Sequence, residues 1–140
     1  MKIAVRYYSR SGNTKRLAAA IADAVGVEMK DVSVPLAEKV DILFLGSAVY
    51  AGGVDDAVKE FVKQNVGKIG QIVNFSTAAL LPSTYKQMKK VAEQYGVDLR
   101  QEEFHCQGAF SVMHRGRPDE NDLKNAAIFA KNIVKSAQEA

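Results

Sequence analysis

The chain has 140 residues, 47% hydrophobic and 25% charged, a composition of one globular domain over 1–140 rather than of a disordered, collagen-like or coiled-coil polymer. Its formal charge is +3, with scattered basic residues (Lys15-Arg16, Lys89-Lys90, Arg115, Arg117), which argues against nucleic acid as a partner. Arg6 comes too early for a signal-peptide core, no apolar run nears the ~20 residues of a membrane span, and the single cysteine, Cys106, excludes an internal disulfide or a multi-cysteine metal site.

Read along the chain, Ile3-Ala4-Val5 with Tyr7-Tyr8 predicts a first strand. Leu17, Ile21, Ala24 and Val25 follow at helical spacing, with a start at Asn13-Thr14 and a stop at Gly26. Apolar and polar residues alternate between Val27 and Val34, a weaker strand, and a short helix over Pro35 to Lys39 would make the alternation regular. Val40 to Leu45 and Gln71 to Phe75 are near-continuous apolar runs, as in strands covered on both faces. Between them Val54, Ala57, Val58, Phe61 and Val62 mark a helix opening at Asp55-Asp56. Pro82-Ser83 opens a third helix carrying Met88, Val91, Ala92 and Tyr95 and ending at Gly96. Phe104 to Phe110 is the last strand, and Asp119 after Pro118 starts a helix carrying Leu123, Ala127, Ala130, Val134 and Ala137. Strands alternating with helices predict an α/β fold with an open, doubly wound, five-stranded parallel sheet between two helix layers.

In such a sheet ligands bind at the carboxyl ends of the strands, so the loops there carry the chemistry. The first, Ser9 to Thr14, leads straight into a helix N-terminus. It offers three hydroxyls and a glycine where backbone N–H groups and the helix dipole attract an anion, which points to phosphate. It matches neither GxxxxGK(S/T) nor GxGxxG. A polar turn capped by Asn13 is the plainer reading. The second loop, Gly46 to Gly53, holds Tyr50 before two glycines; it suits stacking on a flat heteroaromatic ring, or a tyrosine that only covers the sheet end. The third, Phe75 to Tyr85, mixes hydroxyls with Leu80 and Leu81 and serves equally as ring cover or as a helix entry. Cys106 reads as a buried small hydrophobe, His114 as a surface loop residue, and Arg115 with Arg117 as solvated rim.

Together these loops resemble the flavodoxin family along essentially the whole chain, most specifically through SRSGNT at Ser9 to Thr14, similar to the family's Ser/Thr-x-Ser/Thr-Gly-x-Thr loop. The resemblance implies strand order 2-1-3-4-5, a short-chain flavodoxin-like form, and FMN as cofactor. Ser9, Arg10, Ser11, Gly12, Asn13 and Thr14 would then bind the phosphate. The second loop (Ser47, Ala48, Val49, Tyr50, Ala51, Gly52 and Gly53) would contact the ring and its N5 edge, and Ser76, Thr77, Ala78 and Ala79 the ribityl chain or ring. It further implies an electron carrier serving redox partner proteins, expected as a cytoplasmic monomer without metal, membrane or nucleic acid. The alternative is a small FMN-dependent oxidoreductase acting on a quinone, since Cys106 to Phe110 with Gly116 to Asp119 resembles such flavodoxin-like proteins. Flavodoxins are usually acidic. With +3, Arg10 beside the ligand and no carboxylate in the ring loops before Asp55, the second one-electron potential is expected to be less negative than theirs.

Overall fold

The computed structural model describes residues 1–50, 53–78, 83–107 and 116–139. Its centre is a sheet of β1 (Ile3–Tyr7), β2 (Met29–Asp31), β3 (Val40–Tyr50) and β5 (Ile69–Ala78), with β6 (Asp98–Leu99) and β7 (Phe104–Gln107) sharing one edge of β5. All these pairings are parallel. Counting β6 and β7 as one interrupted strand, the order is 2-1-3-4-5, as the resemblance implied. A short β4 (Gly53–Val54) folds back antiparallel on the end of β3.

Side chains alternate across a strand, and here both faces are apolar. In β3, Leu43 and Leu45 enter the core beneath α2 (Asp56–Gln64) and α3 (Tyr85–Tyr95), with Val58, Phe61, Val62, Met88 and Val91. Ile42 and Phe44 enter the opposite core beneath α1 (Asn13–Val25) and α4 (Glu120–Glu139), with Leu17, Ile21, Ala126 and Ala130. The three-layer α/β reading is therefore correct. α1 and α3 end at Gly26 and Gly96, whose left-handed φ values of 74° and 68° suit glycine.

Three differences from the sequence reading matter. No helix forms over Pro35 to Lys39, because side chains claim that backbone. Buried Arg6 donates to the carbonyls of Val34 and Pro35, Lys68 Nζ donates to that of Leu36, and the Leu36 N–H donates to Asn65 Oδ1. β3 and β5 run further than the apolar runs predicted, so Ser47, Ala48, Ser76 and Thr77 lie in ladder rather than loop. The last strand is split, with β6 upstream of the run that was read.

Candidate functional site

The carboxyl ends of β1, β3 and β5 gather the first predicted loop, the described part of the second and the beginning of the third. Gly12 precedes α1 at φ 91°, and the helix starts with no side-chain cap. Asn13 is thus the first helical residue and not its cap. Ser9 Oγ accepts the Gly12 N–H at 2.9 Å and Ser11 Oγ the Asn13 N–H at 3.4 Å. Both serines act as acceptors in these bonds, which leaves their O–H protons able to donate. A Cβ on Gly12 would meet nothing within 4 Å, so the backbone there is open to close approach.

Thr14 faces inward. Its hydroxyl lies 2.9 Å from that of Thr77, and both residues are buried. Ser47 Oγ donates to Thr84 Oγ1 at 3.0 Å, the Thr84 N–H reaches Ser76 Oγ, and fully buried Asn74 exchanges hydrogen bonds with Thr84. Polar residues can continue strands at this depth because they satisfy one another. The network passes to the edge of the sheet through Glu103, which accepts from Asn74 Nδ2 at 3.2 Å and from Ser83 Oγ at 2.7 Å, with His105 Nδ1 3.0 Å from its other oxygen. It braces the segments on which the second and third loops begin and end. Asn74 and Glu103 were missed, a lone Asn inside the apolar run Gln71 to Phe75 being the available signal. Thr84, expected with Ser83 as a helix cap, stands at the start of α3 but spends its hydroxyl on this network, and Ser83 Oγ accepts the Tyr85 N–H instead.

Gly46 was also missed. A Cβ on it would stand 2.3 Å from the Phe75 ring and 2.9 Å from Thr14 Cγ2, so glycine lets the first turn of α1 seat on the sheet.

Arg10 crosses to the second loop's end. Its Nη2 lies 2.7 Å from Asp55 Oδ2, while Asp55 Oδ1 accepts the Ala57 N–H and caps α2. The bond from Ala57 and the guanidinium of Arg10 hold the Asp55 carboxyl below its ordinary range, and Asp55 and the Tyr8 hydroxyl hold Arg10 protonated. The sequence reading counted Arg10 as a net positive charge beside the ligand. That premise is corrected: its charge is matched by Asp55.

The start of α4 lies beside β7. Arg117 donates to both oxygens of Asp122, at 2.5 and 2.7 Å, and Asp119 and Asp122 bond reciprocally through side chain and backbone. Arg117 is thus built into a helix start and is not merely solvated rim. Burial, followed by the charge of Asp122, pushes the Cys106 thiol up to about 12, in keeping with an inert cysteine. Ala51, Gly52, Ala79, Leu80, Leu81, the predicted strand end Gly108 to Phe110, His114 and Arg115 lie outside the described residues, as do the side chains of Val49, Tyr50 and Gln107. Among the described residues no acidic, His or Cys cluster could hold a metal, and no helix is long and apolar enough to cross a membrane.

Against known proteins, the model of the flavodoxin domain matches residues 4–112. The chain belongs to the flavodoxin family. This flavodoxin-family chain is 27% identical over 151 residues to an uncharacterized protein of Methanocaldococcus jannaschii, covering 97% of this chain and all of that one. It superposes on a flavodoxin from the domain Archaea with a TM-score of 0.78 at 15% identity, covering 99% of each. On oxidised flavodoxin 1 from Bacillus cereus the TM-score is 0.73 at 20% identity, covering 96% of this chain and 98% of that one. On rubredoxin oxygen:oxidoreductase from Desulfovibrio gigas it is 0.75 at 13% identity, over 99% of this chain but 36% of that one. At such identities the structural matches speak to the fold.

Proposed function

We propose that the chain binds FMN at the carboxyl ends of β1, β3 and β5 and carries electrons between redox partner proteins. The observation that carries this reading is the start of α1: a helix N-terminus entered through an open, left-handed Gly12 that has no side chain to cap it, flanked by serines whose O–H protons can still be donated. Family membership adds the cofactor class.

Bound FMN would supply the redox chemistry; the protein supplies binding, orientation and electrostatics. Ser9, Ser11, Gly12 and the first N–H groups of α1 hold the phosphate by hydrogen bonding and by the helix dipole. The segments following Ser47 and Thr77 take the ring and ribityl chain, resting on the buried Thr14–Thr77 and Ser47–Thr84 bonds. On this reading the partners are redox proteins.

The test is a titration of purified protein with FMN, followed by flavin absorbance and fluorescence. Saturable one-to-one binding is expected, and its failure would remove the reading. Steady-state turnover of quinones with NAD(P)H would move the assignment from carrier to the alternative, an FMN-dependent oxidoreductase.

A further inference from the structure

Arg10 and Asp55 belong to different segments, one before α1 and one before α2, and their ion pair joins the two. Asp55 is the fixed member: its side chain is 13% exposed and anchored on the N-terminus of α2 through Ala57. Arg10 is the movable member, with its side chain 57% exposed, and its guanidinium serves both Asp55 and the Tyr8 hydroxyl. An ion pair with one partner this open to solvent is screened on that side, and a long side chain must be ordered to make it. Arg10 also stands immediately before Ser11 and Gly12, at the anion-attracting start of α1. A phosphoryl group there would present a doubly charged, multi-oxygen acceptor to the same guanidinium.

We propose that Asp55 and the phosphoryl group of the flavin nucleotide compete for Arg10, so that Asp55 tunes how strongly the site prefers a phosphorylated flavin to an unphosphorylated one. The inference rests on the FMN reading above and adds to it a residue of the second loop's end that never touches the phosphate. Asp55 restrains the affinity by drawing Arg10 towards α2.

The experiment compares FMN and riboflavin binding, at low and high salt, for wild type, Asp55→Asn, Arg10→Gln and the double variant. Asn is as good a helix cap as Asp, so α2 keeps its start while the charge is removed. Thermal melts check this, and Asp55→Ser replaces any variant that melts early. Asp55→Asn should tighten FMN by about two- to five-fold, the worth of an exposed pair, and leave riboflavin unchanged. Arg10→Gln should weaken FMN alone, and in its background Asp55→Asn should have no effect. The gain should shrink at high salt. An unchanged FMN affinity in Asp55→Asn would overturn the competition. So would an equal gain with and without Arg10, which would mean simple repulsion between carboxylate and phosphate. Wild-type protein that binds no FMN would instead defeat the underlying reading.

Discussion

Gly46 shows how one residue can decide whether the site exists. It pairs with Tyr7 on one side and Phe75 on the other, at the level where α1 begins. An added methyl would need the Phe75 ring and Thr14 Cγ2 to move, and Phe75 is fully buried. Gly46→Ala should therefore cost about 1–3 kcal/mol by overpacking, read as a lower urea midpoint at unchanged slope. Trimming the obstacle with Phe75→Leu should recover part of that loss, and an additive double variant would show that the ring is not the obstacle. Nothing in the sequence around Gly46 announced this, because a glycine ending an apolar run looks like any turn. Gly12 was legible for the opposite reason: the hydroxyls and the helix that follow it define its setting.

At the scale of elements, the helices and central strands were legible because their apolar residues repeat with the period of the element they form. Their ends were not. β3 and β5 continue through Ser47, Ser76 and Thr77, polar residues that look like loop until their partners Thr14 and Thr84 are known. The gap at 35–39 was ambiguous because Arg6, Asn65 and Lys68, distant in sequence, take its backbone groups. The start of α4 allows a pH prediction. The bonds from Arg117 hold the Asp122 carboxyl below its ordinary value, so Asp122 contributes stability above the unfolded value near 3.9 and loses it as pH falls through the folded one. Asp122→Asn should destabilise by about 1–2 kcal/mol at pH 7. Chemical denaturation from pH 7 down to 3 should show that gap closing below about pH 4. A gap independent of pH would mean the charge is not what Arg117 recognises.

For the whole molecule, the charge of +3 is the departure from acidic flavodoxins that bears on partners. Since Asp55 matches Arg10, the long-range field owes more to scattered lysines such as exposed Lys15, Lys86 and Lys89. If FMN is carried as proposed, oxidation of the reduced protein by anionic ferricyanide should slow with added salt, and oxidation by cationic hexaammineruthenium should not. The reverse order would place an acidic field around the electron exit and exclude acidic partners from preference. Strand order, layers and phosphate loop were thus readable from one sequence, whereas the pairings that set local charge were not, because they join residues far apart in the chain.

The interrupted edge of the sheet has one more consequence. Between β6 and β7 the ladder skips Val73 and Asn74, the Asn74 amide turning to Thr84 and Glu103 instead, and exposed Gln101 and Glu102 lie in the break. Both half-strands are fastened separately to β5, so the chain can grow between Gln101 and Glu102 at the cost of the Arg100–Glu102 ion pair rather than of the sheet. A guest sequence spliced there would leave the sheet in register, giving a ready point for grafting a tether or a second module onto this scaffold.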